Sequence, residues 1–254
     1  MRLLAAAVLL FQTPDRVELR SGLDTLYGGE FAVAAAHFER LAARDTTDPA
    51  PLVFQAGAYI WWAAALDSAE FERERIDSLL GLAIARARAA GGGPTQDFWR
   101  ATALGYRARE HDLHGQSWGA AKDGKAMRDI YRRLLAADSS CVDCYLGLGV
   151  YHYGLARAST LARLFAKVIG LGSGSAETGL RYMRRVAHEG DLAQVEATWV
   201  LAAALVREAA RDRAGRQVLQ QEARAYVRRL AERYPANPVF QRFLREIPAA
   251  SPPP

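Results

Sequence analysis

From Val17 to Ile247 apolar residues recur every three or four positions, and no stretch alternates β-branched with polar residues as a half-buried strand does. A chain patterned in this way can bury its apolar surface only as packed helices, so the expected class is all-α. Gly, Pro, Asp and Ser clusters mark the helix ends. They fall at Gly28-Gly29, at DTTDPAP (45–51), at GGGPT (91–95), around His114-Gly115, at DSSC (138–141), at GLGSGS (170–175), at Gly190, near Gly215 and at YPANP (234–238). These breaks divide the chain into about ten helices of three to six turns. Paired in order, they make about five antiparallel hairpins and a short last helix from Val239.

Comparison of the chain with itself gives the pairing a physical basis. In EARAYVRRLAERYP, Ala223, Val227, Leu230 and Pro235 follow a small-x3-large-x2-small-x4-Pro spacing in which Leu230 is larger than usual. Ala34, Phe38 and Leu41 repeat it, and Met127, Tyr131 and Leu134 give a looser copy. Small residues let two antiparallel helices approach, and a large residue one turn away fills the groove opposite. A second pattern, aromatic-x2-Leu-Gly-x2-Tyr, stands at Tyr145, Leu148, Gly149 and His152, with degenerate copies around Gly57, Thr102 and Ala203.

Together these spacings resemble the second and first helices of the tetratricopeptide (TPR) repeat. The resemblance implies a right-handed, TPR-like α-solenoid of about five antiparallel helical hairpins with a short C-terminal capping helix, over residues 15–247. The departure is the period. Gly57, Thr102, Gly149 and Ala203 stand 45, 47 and 54 residues apart, against 34 in the family, which calls for longer helices and looser loops. The run GLGVYHY, an apolar helix, GSGSAETGLRYMRRVAHEG and YPANPVF is also similar to a group of exported bacterial TPR-like proteins of unassigned role.

The motifs that suggest chemistry are outweighed by their surroundings. Cys141 and Cys144 form a CxxC at a helix start, where a thiol pKa is lowered, but no second CxxC and no His at zinc-finger spacing complete a metal site. The pair is read as small residues filling a turn, with a local disulfide left open. Gly147 and Gly149 lack the strand and third glycine of a dinucleotide loop and are read as packing glycines. GLGSGS lacks the Lys-Ser/Thr of a P-loop, while Ser173 or Ser175 suits a helix start. His111 and His114 lack the HExxH glutamate and read as a solvated helix end. SAEFERERIDS (68–78) reads as an exposed helix face. No nucleophile has a credible base, so the chain is read as no enzyme, with no cofactor and no metal.

Charge narrows the partners. Residues 1–127 carry a net −2 and 128–254 a net +7, so the C-terminal half is the half suited to an acidic surface. Arg supplies 30 of the 33 basic residues, which together with the Ala-rich runs suggests coding bias, and nucleic acid is not expected. The first residues, MRLLAAAVLLFQTPD, read as a truncated export signal over 1–14, too short to span a bilayer. Export to the periplasm or outside the cell is favoured over the cytoplasm. The tail PAASPPP, with residues 248–254, cannot continue a helix.

The resulting expectation is a non-catalytic protein- or peptide-binding scaffold that uses the concave face of the solenoid. The family's inward-facing first-helix positions, carried over to each copy, give Trp61, Trp62, Trp99, Tyr106, Arg107, Tyr153 and Arg207 as the partner-binding set. Within it Trp61, Tyr106 and Tyr153 occupy one matching position and Arg207 continues the series, a ladder of rings ending in a cation. The alternative is a membrane-surface assembly factor that makes peripheral contact through the amphipathic helix 155–171 and the basic C-terminal half.

Overall fold

The computed structural model describes residues 13–159 and 170–247. All but the end of the 1–14 leader, residues 160–169 and the 248–254 tail lie outside the described residues; of the segment expected as the amphipathic helix 155–171, residues 155–157 belong instead to a helix that ends at Arg157, and 158–159 and 170–171 are not helical. Those that are described hold eleven helices and no strand: α1 (Thr13–Tyr27), α2 (Phe31–Arg44), α3 (Ala50–Leu66), α4 (Arg73–Ala89), α5 (Pro94–Leu113), α6 (Ser117–Ala137), α7 (Cys144–Arg157), α8 (Ala176–Glu189), α9 (Gln194–Arg211), α10 (Arg216–Arg233) and α11 (Pro238–Glu246).

Each begins and ends for local reasons. In α2 the buried residues Phe31, Ala34, Ala35, Phe38, Leu41 and Ala42 form one stripe at helical period. Pro94 and Pro238 open α5 and α11 at positions where a missing N–H costs nothing. Ser175 caps α8 through the Thr178 amide at 3.2 Å, and the Asn237 side chain caps α11 through the Val239 amide at 2.9 Å. Between α2 and α3, Asp45 accepts from the Thr47 amide at 2.8 Å and its hydroxyl at 2.7 Å. Those bonds, the hydroxyl's first, hold the Asp45 carboxyl below its ordinary pKa.

One break was not marked by the usual residues. The 68–78 segment, expected as a helix face, is a turn as far as Glu72 and becomes helical at Arg73. Asp67 and Glu72 both take φ of +53°, a left-handed conformation that is uncommon outside glycine. The helix pattern therefore splits here into α3 and α4 with no Gly or Pro to announce it.

Helices packed in chain order build the core, each against the one before and the one after. Where two come closest, the glycines explain it. A Cβ on Gly149 of α7 would lie 3.1 Å from the Gly179 carbonyl of α8, and one on Gly179 would lie 2.8 Å from the Gly149 carbonyl. Gly147 leaves room for the Tyr131 ring of α6 in the same way. These are packing glycines, as their context in the sequence implies.

Contacts also skip along the chain. α1 touches α3, α3 touches α5, and α5 touches α7. The C-terminal end returns to the N-terminal end: α11 packs on α3, where Arg242 donates to the Ala64 carbonyl at 2.6 Å. Asn237, fully buried, donates to the Tyr27 carbonyl at 2.9 Å, and the Tyr234 hydroxyl donates to Asp24 at 3.1 Å. Gly29, at φ +93°, leaves room for the Ala236 carbonyl, which a Cβ would approach at 3.0 Å.

Candidate functional site

Trp61, Tyr106 and Tyr153, at the matching positions of α3, α5 and α7, each meet α9 of the chain itself. Trp61 is 6% exposed and meets Tyr27, Trp199 and Phe240 edge to face, with centroids 5.6, 5.4 and 5.4 Å away. The Tyr106 hydroxyl donates to Glu196. The Tyr153 hydroxyl, also buried, contacts the Ala204 carbonyl at 3.2 Å and Glu208 at 2.9 Å. Trp199, Glu196, Ala204 and Glu208 all belong to α9, so α9 lies along the ring series where a ligand was expected.

The other expected contact residues are also engaged within the chain. Trp99 is buried between Phe54 and Phe98, and Trp62 stacks with Tyr59. The Arg107 guanidinium is gripped by Asp123 at 2.6 and 3.0 Å. Arg207 is exposed on α9, next to Glu208. As placed, the rings join helices; Arg207 alone of the set faces solvent.

Burying α9 brings carboxylates with it. Burial lifts the Glu196 carboxyl above its usual pKa, with the Tyr106 hydrogen bond and Arg109 opposing. Burial also acts on Glu208, but hydrogen bonds from Arg157 and Tyr153 outweigh it and leave this carboxyl below the ordinary value. The turn before α9 is held by a residue from the start of α7. Asp143 accepts from the backbone amides of Asp191, Leu192 and Ala193 at 2.8, 3.0 and 3.3 Å. Burial nonetheless raises its carboxyl pKa.

At the seam where the chain ends meet, a cleft of about 290 Å³ remains between α1, the turn before α9 and the end of α10. Its floor is apolar: Leu23, Tyr27, Leu192 and Val195 are buried. Its rim is charged. Arg16, at 3.0 Å, and Arg20 pair with Asp191, and Arg233 lies 3.7 Å from Asp24. The side chains of Arg20 and Arg233 are 59% and 58% exposed, and exposed pairs of this kind contribute only about 0 to 1 kcal/mol. Both cations can therefore exchange their partners for an incoming carboxylate. The Tyr234 hydroxyl, pushed up to about 12 by burial, stays protonated as a donor.

Two other sequence readings change with the structure. His114 does not sit at a solvated helix end: its side chain is 7% exposed and its Nδ1 lies 3.3 Å from Glu70 of the α3–α4 turn. Cys141 and Cys144 are joined in a disulfide with Cα atoms 5.4 Å apart. Among the described residues no three His, Cys, Asp or Glu side chains are placed to hold a metal ion. No described helix is long and apolar enough to cross a membrane.

The cleft residues were not legible in the sequence, because Arg20, Asp191 and Arg233 come from three distant segments. The nearest signal is that Tyr27 and Tyr234 each end a helix just before a Gly or Pro break. No protein-family model and no curated protein matches the chain.

Proposed function

We propose that the chain is a non-catalytic scaffold, a right-handed TPR-like solenoid of five hairpins and a capping helix, that binds a protein or peptide segment. Support for the architecture comes from the packing of helices in chain order and from the contacts of α1 with α3, α3 with α5 and α5 with α7. The concave face drawn from the family is taken up by α9, so the contact moves to the seam cleft. The observation that carries this reading is the cleft itself, buried apolar side chains under a rim with two guanidinium groups, Arg20 and Arg233, and two carboxylates, Asp24 and Asp191, at the positive end of the α9 dipole. Such a site suits a segment with an apolar side chain next to a carboxylate, such as a chain terminus. Export from the cytoplasm is part of the same proposal, supported by the bonded cysteines, since disulfides persist in oxidising compartments.

The test is a panel of fluorescent peptides with free or amidated C-termini, read by polarisation. Peptides with the free carboxylate should bind, and Arg20→Ala or Arg233→Ala should weaken them by about tenfold or more without loss of fold. Binding that ignores both substitutions, or that occurs only on anionic vesicles, would remove the cleft from the account and favour the membrane-surface alternative.

A further inference from the structure

The Cys141–Cys144 disulfide does not line the proposed binding cleft, yet its surroundings are specific. It closes a ring of four residues, Cys141, Val142, Asp143 and Cys144, in the α6–α7 turn. A bond across so short a loop removes little freedom from the unfolded chain, so it does little as a structural clip. Its two sulfur atoms stand in unlike places. Cys144 is fully buried as the first residue of α7, whereas Cys141 is half-buried in the turn before it.

Inside the ring, Asp143 points away to another hairpin. Its carboxylate takes three backbone amides of the 191–193 turn, and Asp191 in that turn pairs with Arg16 and Arg20 of α1. Gly190 is part of the same fit, because a Cβ there would lie 3.0 Å from the Asp143 Oδ1. Within the turn itself the Ser140 amide donates to Asp138 at 2.9 Å, and the Cys144, Tyr145 and Leu146 amides donate to the Cys141, Val142 and Asp143 carbonyls at 3.2, 3.0 and 3.1 Å.

We propose that Cys141–Cys144 is a thiol–disulfide exchange site for a dithiol partner, with Cys141 as the attacked sulfur, and that its state is relayed through Asp143 to the 191–193 turn. A thiolate of the partner attacks the Cys141 Sγ, the Sγ–Sγ bond breaks, and Cys144 leaves as a thiolate at the start of α7, where the helix dipole stabilises it before it takes up a proton. The partner's second thiol, losing its proton, then attacks the mixed disulfide and releases Cys141 as a thiolate that is protonated in turn. Two electrons and two protons pass to the chain, and the partner is left as a disulfide. With the ring open, the α6–α7 turn gains freedom, and Asp143 no longer holds the three amides in one geometry.

Two measurements on the full chain test this. In the first, the native protein is titrated with dithiothreitol, free thiols are blocked with a maleimide and counted by mass, and helix content is followed by circular dichroism. Two thiols should form while helix content is unchanged, and amide exchange at residues 191–193 should rise by about tenfold or more relative to the oxidised form. Reduction that needs denaturant, or that unfolds the protein, overturns the proposal, and unchanged exchange at 191–193 overturns the relay. In the second, the single variants Cys144→Ser and Cys141→Ser are treated with glutathione disulfide. Cys141 should form the mixed disulfide about tenfold faster than Cys144, and equal or reversed rates would overturn the assignment of the attacked sulfur.

Discussion

Replacing Trp61 by alanine tests the central structural result, that the ring series is core. The side chain is 6% exposed and is held by rings from three helices, Tyr27 of α1, Trp199 of α9 and Phe240 of α11. Truncating a buried Phe or Trp to Ala costs about 3 to 5 kcal/mol. Each edge-to-face pair adds about 0.5 to 1.5 kcal/mol beyond area burial. With three such pairs lost, the expected destabilisation is at the upper end, about 5 kcal/mol, a large share of the ~5 to 15 kcal/mol typical of a folded domain. For a chain of this size each kcal/mol moves Tm by about 2 to 4 °C, so the midpoint should fall by about 10 to 20 °C. The assay is urea and thermal unfolding followed by far-ultraviolet circular dichroism, which does not depend on the lost indole. Val218→Ala, at a site 67% exposed, serves as control and should stay within about 0.5 kcal/mol. Because Phe240 shares the contact, the Trp61→Ala and Phe240→Ala losses should not add. A loss below about 1 kcal/mol with an unchanged m-value would refute the reasoning and return Trp61 to an open groove.

Three further substitutions probe other links. Asn237→Ala removes the cap of α11 and the bond to the Tyr27 carbonyl together, and should cost about 2 to 3 kcal/mol in urea unfolding. Gly149→Ala pushes a methyl against the α8 backbone and should cost about 1 to 3 kcal/mol. Gly81→Ala, in α4 with nothing within 4 Å of the added Cβ, should instead stabilise by up to about 1 kcal/mol. The pH dependence should follow Glu196. Its folded pKa is raised by burial, so the stability tied to its neutral form is complete below the unfolded value near 4.5 and is lost as pH rises through the folded value. Glu196→Gln should therefore match the parent at low pH and become the more stable of the two toward neutrality, and a constant difference across the range would contradict this.

Much of the helix inventory was legible because its causes are local. The stripe of α2 and the Ala223, Val227 and Leu230 face of α10 are read directly from spacing, and all three of those α10 residues are buried. The Gly, Pro and Asx breaks were readable for the same reason. The α3–α4 break was not, since Asp67 and Glu72 adopt positive φ without the residue that usually marks it. His114 meets Glu70, some forty positions earlier, at 3.3 Å, and no local pattern encodes that meeting.

Local spacing in the sequence was enough to give a helical chain, most of its helix ends, and the small and large residues that pair neighbouring helices. It also indicated, through repeats 45 to 54 residues apart, that the helices would be long for the family it resembles. Only the tertiary structure decided which surface stays open. Whether an inner face is a groove or a core depends on how many degrees each hairpin turns relative to the last, and those small rotations accumulate along the chain. In this protein α9 lies against Trp61, Tyr106 and Tyr153, and α11 packs back onto α3, so that rings placed by a local pattern became core through contacts between segments far apart in sequence.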